Sequence, residues 1–311
     1  MTGVLTDETS GYRPYVIGEP GRAPGLVVPR VKARLWNRKD TEVDGFRVDG
    51  PVPGTAVQVR AASVRGLSHR AYGNVRQDAY GVRVTEDGRH LIVAVADGLS
   101  SGELSHIAAE AVVGEGISLL SATLADERRA VDWSRFFSCL VEAVERNCRR
   151  DLRERAYAQA DTLSLAEVAA LMAATASFAV LDMIPVDGAH PVTTGSIGDT
   201  STWVLEREGR WRPTQPVKND GAELHSSATK AVPLSAEPLV ATARVGPGDA
   251  LLVMTDGVGD PLGHGTGEVG KRLGELWRTP PHELDFAAQV SFARKTYDDD
   301  RTVVALWPCV P

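Results

Sequence analysis

From about residue 56 the chain shows a clear order of apolar and polar positions. The stretch "VQVRAAS" places apolar side chains on every second position, as a strand with one buried face requires. "YGVRV" and "HLIVAVAD" follow as strands on either side of the turn "EDG". The period then changes. In "SGELSHIAAEAVVGEGISLLSATLADERRA" the residues Leu104, Ile107, Ala108, Ala111 and Val112 recur at the spacing of one helix face. A second helical pattern covers 132–160 and a third 163–172. Strand patterns return in "TASFAVLDM", "PVTTGSIGDT", "STWVLERE", "RWRPT" and "DALLVMTDG". Helical patterns over 267–278 and 282–296 precede a last strand, "TVVALW". Strands in hairpin succession, interrupted by blocks of helix, predict an α+β fold of antiparallel sheets with the helices on the outside. Residues 1–55 are rich in Gly, Pro and charge and read as a partly irregular extension with a strand or two packed on the body. Residues 56–311 read as the folded domain.

Bulk properties narrow this picture. The 311 residues, 43% hydrophobic and 24% charged, suffice for a sizeable core. A net charge of −7 argues against nucleic acid as a partner. The basic run Arg30–Lys39 reads as a solvated charged segment. Cys139, Cys148 and Cys309 have no metal-site spacing, and an odd number fits a reduced, intracellular chain. No start resembles a signal peptide and no apolar run approaches 18 residues, so the expectation is a cytoplasmic protein with no membrane partner.

The candidate chemistry lies in acidic residues. Asp78, Asp97, Asp199, Asp256 and the run Asp298–Asp300 all sit at a strand end beside Gly or a turn. There a carboxylate can project into a cleft while its strand stays buried, and a following glycine lets backbone approach an ion. One such Asp-Gly is more often a turn. Two apolar strands that end alike, with an Asp cluster feeding a third, point to an oxygen-lined site for a hard cation, because converging carboxylates repel unless neutralised.

The ordered set of motifs resembles the metal-dependent Ser/Thr protein phosphatases of type 2C. "GLSHRAYGNVRQDAYG" is similar to the first motif in the Ser-His…Gln-Asp form of a bacterial subfamily, and "VAVADGLSSG" to the Asp-Gly metal motif. "AATASFAVL", "GSIGDTSTWVL", "LLVMTDGVGD" and "DDDRTVVAL" resemble the remaining four in order, over about 60–307. The resemblance implies a four-layer αββα sandwich and hydrolysis of phosphate monoesters of phosphorylated proteins by a water activated at two Mg²⁺ or Mn²⁺ ions. It implies that Asp97 bridges the ions, that the Gly98 carbonyl, Asp256 and Asp299 complete the ligand set, and that Asp78 serves the second ion. Asp199 matches the position that helps hold a third, weaker ion in bacterial members. Arg70, or Arg76 in its place, would grip the phosphate, and His69 would act as general acid or orient water. A monomer is expected.

Three departures stand out. Gln77 replaces the usual Glu, Leu99-Ser100-Ser101 replaces His-Gly-Gly, and Asp300 stands where Asn is usual, which leaves Asp299 and Asp300 as rival ligands. "KNDGAELHSSATKAVPL" falls where the family carries its mobile flap. An alternative reading is a non-catalytic module of the same fold that binds phosphoproteins. "GTGEVGKR" misses a phosphate-binding loop because Arg272 follows Lys271 and no strand directly precedes it.

Overall fold

A computed structural model describes residues 15–19, 39–126, 130–157, 159–216 and 230–309. The basic run Arg30–Lys39, apart from Lys39, lies outside these residues, as does most of the predicted flap.

Eleven strands form two antiparallel sheets among the described residues. The six-stranded sheet runs in the order β1 (Thr41–Asp49), β2 (Ala56–Val64), β11 (Arg301–Pro308), β10 (Ala250–Met254), β7 (Ser201–Leu205), β8 (Trp211–Pro213). The five-stranded sheet runs β3 (Ala79–Val84), β4 (His90–Gly98), β5 (Ala174–Asp182), β6 (His190–Ile197), β9 (Leu239–Val245). Helices α2 (Ser105–Leu124), α3 (Trp133–Glu154) and α4 (Leu165–Leu171) cover the outer face of the five-stranded sheet. Helices α5 (Asp256–Leu262), α6 (Glu268–Leu276) and α7 (Glu283–Val290) cover the other. With a short α1 (Leu67–Tyr72), this is the expected αββα sandwich.

The central strands are apolar on both faces because both are buried. In β4, Leu91, Val93 and Val95 meet the opposite sheet, while Ile92, Ala94 and Ala96 meet α2 and α3. The long helices follow from their patterns. Asp132 caps α3 by accepting a hydrogen bond from the Arg135 amide at 3.1 Å. Trp133, Phe136 and Phe137 then pack on Phe178 of β5, with ring centroids 5.0–6.3 Å apart. Helix α2 has the length and apolarity to cross a membrane, yet Ile107, Ala108, Val112, Ile117 and Leu120 are buried between α3 and the sheet. The three cysteines are unpaired, and Cys148 packs inside α3 as a core residue.

Part of the stretch 1–55 belongs to the sandwich. β1 pairs with β2 over nine positions, from Thr41 opposite Val64 to Asp49 opposite Ala56. Tyr15–Glu19 lie along the chain at 293–295. Ala293 donates to the Tyr15 carbonyl at 2.7 Å, Ile17 to the Ala293 carbonyl at 3.2 Å, and Lys295 to the Glu19 carbonyl at 2.8 Å. Ile17 is buried beneath α5–α7 and clips the segment that leads into Asp298–Asp300. Ile17→Ala is therefore expected to cost about 2–4 kcal/mol in urea unfolding. A segment that merely rests on the surface would give no change.

Candidate metal centre

The site lies where the layer between the sheets turns from apolar to polar. Side chains alternate along a strand, so Asp97 shares the inward face of β4 with Leu91, Val93 and Val95. By the same count Ser63 of β2, Thr255 after β10 and Thr302 of β11 also point between the sheets. They are joined: Ser63 Oγ lies 2.6 Å from Thr302 Oγ1, and the Thr302 amide donates to Thr255 Oγ1 at 3.0 Å. Both threonine hydroxyls donate to Asp78 Oδ2, at 2.9 Å from Thr255 and 2.7 Å from Thr302. Asp78 is thus held at a fixed place on the floor of the cleft, and its Oδ1 is buried without a hydrogen-bond partner.

Asp97, Asp199 and Asp256 each bring a carboxylate oxygen to within 4.8 Å of the others. They come from the end of β4, the β6–β7 turn and the first residue of α5. His69, Asp299 and Asp300 form a second such group. The electrostatics join the two. Burial, followed by the charge of Asp78, holds the Asp97 carboxyl well above the ordinary carboxylate range, and Asp256, Asp299 and Asp199 add to it. Burial and the Asp300 charge push Asp78 up to about 8. Burial and the Asp199 charge raise Asp256 to about 6. Asp299 is raised by burial and by Asp300. Four clustered acids are each harder to ionise than in water, because they crowd together in one buried place.

Glycines permit this crowding. A Cβ on Gly257 would lie 1.9 Å from the Asp300 carbonyl oxygen, so only glycine lets the start of α5 touch the Asp299–Asp300 segment. At Gly98 a Cβ would meet the Gln77 carbonyl and the Ser105 backbone at 2.9 Å. The glycine after Asp97 therefore answers packing by protein backbone, whatever its carbonyl also binds.

The rival acids part company. Asp300 is buried and fully engaged: Oδ1 accepts from the Gly66 amide at 2.6 Å, and Oδ2 accepts from the Gln77 amide at 2.5 Å and lies 3.0 Å from His69 Nδ1. Asp299 uses Oδ1 to accept from the Asp300 amide at 2.8 Å, and its charge reaches Asp78, Asp97 and Asp256. Gln77 explains its own departure from Glu. Its Nε2 donates to the Gly102 carbonyl at 2.9 Å, a bond that a carboxylate cannot make, and so pins the Leu99–Gly102 turn. That turn is further held by Leu99 donating to Ala173 and by Ser105 Oγ donating to the Leu99 carbonyl.

Of the residues expected to act on the phosphate, His69 belongs to the second group, with Asp299 and Asp300, and Arg70 lines a separate groove. His69 is buried behind Asp300. Burial would lower its pKa, but the hydrogen bond and charge of Asp300 outweigh this and raise it. Arg70 lines a groove whose walls include none of Asp78, Asp97, Asp199, Asp256 or Asp299. Arg76 is bound to Glu42, to the Ser63 carbonyl at 3.1 Å and to the Asp78 carbonyl at 3.2 Å. Thr255 and Thr302 were not read as site residues from the sequence. Their signal is a threonine one position before Asp256 and one two positions after Asp300.

A cavity of about 240 Å³ opens beside Asp199, lined also by Ser196, Ser201, Gln215, Asp260 and Tyr297.

Comparison with known proteins gives this arrangement a family. The family profile described as protein phosphatase 2C matches residues 65–289, which include Asp78, Asp97, Asp199 and Asp256 and stop short of Asp299. No curated protein sequence matches the chain. Among solved structures, the chain is similar to PppA, a key regulatory component of T6SS in Pseudomonas aeruginosa, with 16% identity and a TM-score of 0.50 over 85% of this chain and 100% of that one. It is also similar to the serine/threonine phosphatase PstP/Ppp of Mycobacterium tuberculosis, at 18% identity and a TM-score of 0.48 over 80% of this chain and 97% of that one. The PP2C phosphatase domain and a fragment of the regulatory domain of the cell fate determinant SpoIIE from Bacillus subtilis match at 13% identity and a TM-score of 0.49 over 87% of this chain and 70% of that one. Identities this low speak to the fold alone, but the profile covers well over half of the residues: the chain belongs to the protein phosphatase 2C family.

Proposed function

We propose that the protein is a metal-dependent phosphoprotein phosphatase that removes phosphate from Ser or Thr side chains. The observation that carries this reading is the Asp97–Asp199–Asp256 group, with ligand oxygens within 4.8 Å of one another, beside the orphaned Oδ1 of Asp78. An all-oxygen, acidic donor set suits Mg²⁺ or Mn²⁺. Asp78, Asp97, Asp256 and Asp299, with the Gly98 carbonyl, would hold two ions, and Asp199 a third. Bound there, such ions supply the acidity that activates a water and the positive charge that offsets the phosphoryl oxygens.

The chain's own residues do the rest by position. Thr255 and Thr302 fix Asp78, so the site does not rearrange to accept its charge. Gln77 and Asp300 tie the first motif, the Asp97 loop and the last strand together, which keeps donors from three separate segments in register. His69 holds a proton against Asp300 and acts as a positioning residue for it. The cavity beside Asp199 is the place for the substrate's peptide.

The test is hydrolysis of p-nitrophenyl phosphate and of a phosphothreonine peptide by the full chain. Turnover is expected with Mn²⁺ or Mg²⁺ and is expected to vanish with EDTA. Activity that survives complete chelation, or its absence with every divalent ion, overturns the proposal.

A further inference from the structure

A second polar feature lies outside the carboxylate centre. Between α1 and α7 runs a groove of about 310 Å³. One side is apolar, built from Val64, Leu67, Leu284 and Ala288. The other carries three guanidinium groups, Arg65 just after β2, Arg70 of α1 and Arg301 of β11.

Their partners do not balance them. Arg65 pairs with Asp40 at 2.8 Å and also donates to the His69 carbonyl at 3.1 Å. Arg301 is buried and donates from Nε to the Gly257 carbonyl at 3.0 Å and from Nη2 to the Tyr297 carbonyl, both neutral, with its guanidinium 4.5 Å from the centroid of the Phe292 ring. Asp298, Asp299 and Asp300 act on Arg301 at longer range. Arg70 makes no ion pair among the described residues, and its Nε is buried without a hydrogen-bond partner. Arg70 and Arg301 thus meet no carboxylate in direct contact among the described residues. Arg70 is half-buried and carries no counter-charge at its side, and the planar fork of a guanidinium matches an oxyanion.

We propose that this groove is a binding site for a small oxyanion that carries an apolar group, a phosphonate, phosphate ester or carboxylate, with Arg70 as its principal contact. The apolar wall takes the body of the ligand and the arginines its charged head. The site is separate from the phosphatase reading above and does not depend on it.

The test titrates phenylphosphonate and benzoate calorimetrically into the full chain in EDTA, with benzamide as the neutral control. At least one of the two anions is expected to bind and benzamide not to. Affinity is expected to stay within about twofold in Asp97→Asn, because that residue belongs to the other centre. It is expected to fall at least tenfold in Arg70→Met, which removes the charge, and in Ala288→Trp, which fills the groove and leaves every arginine in place. Failure of both anions to bind overturns the proposal. So does affinity unchanged from wild type in Arg70→Met or in Ala288→Trp, or a loss confined to Asp97→Asn.

Discussion

Asp97→Asn is expected to lower phosphate-ester turnover by roughly three orders of magnitude, about 4 kcal/mol of barrier, while raising the thermal midpoint of the metal-free protein. The two effects share one cause. Asp97 sits among Asp78, Asp256, Asp299 and Asp199, and each of these charges makes its own ionisation harder. Folding without a cation forces these groups together. For a group whose folded pKa is raised, the folded state binds more protons than the unfolded one once the pH passes the unfolded value. Stability therefore falls as pH rises, here from the ordinary value of 3.8 towards about 8, the value that Asp78 reaches. An amide at position 97 removes the most surrounded charge and flattens that slope. Each kcal/mol recovered raises the midpoint by roughly 2–4 °C. Scanning calorimetry in EDTA at pH 5 and pH 8 checks this. Mn²⁺ should reverse the order, stabilising the wild type more than the variant. A variant less stable than wild type at pH 8 without metal would contradict the account.

The second large effect separates two adjacent acids. Asp300→Ala is expected to cost about 3–5 kcal/mol, because it strands the Gly66 and Gln77 amides and His69 in a buried place. Asp299→Ala removes one acceptor for a neighbouring amide and relieves the crowd of charges, so metal-free stability should shift by no more than about 1 kcal/mol. Turnover and Mn²⁺ affinity should collapse in Asp299→Ala all the same. Chemical unfolding and Mn²⁺ titration of the two variants read these outcomes separately. Equal destabilisation by both would show that the two carboxylates share one role.

Much of this was legible beforehand. Alternation in "VQVRAAS" and "HLIVAVAD", and helical spacing around Leu104–Val112, are local properties, and the strands and long helices stand where those patterns place them. Other elements are hard to place from the sequence where composition works against them. Helix α5 contains Gly257, Gly259 and Pro261, poor helix formers that read as a loop, yet Val258 and Leu262 are buried in the core and keep it helical. β1 is one of the strands expected within residues 1–55, but its bounds are not legible in a stretch rich in Gly and charge, because it is an edge strand, largely exposed, and is held by its ladder to β2. Tyr15–Glu19 carry no pattern at all and are placed by three backbone hydrogen bonds to a segment nearly 280 residues away.

The sequence by itself determined which acids end apolar strands, and so which could meet: a strand end is a local event, written in a few residues. Only the tertiary structure decided what each one does there. Asp300 is drawn inward by two amides from the first motif, and Asp299 is left facing the other carboxylates. Gln77 becomes a clamp on Gly102, and Arg70 turns away into the groove beside α7. These outcomes depend on hydrogen bonds between residues 25 to more than 200 positions apart, or on the side of a short helix that packing chooses, and no periodicity along the chain records either.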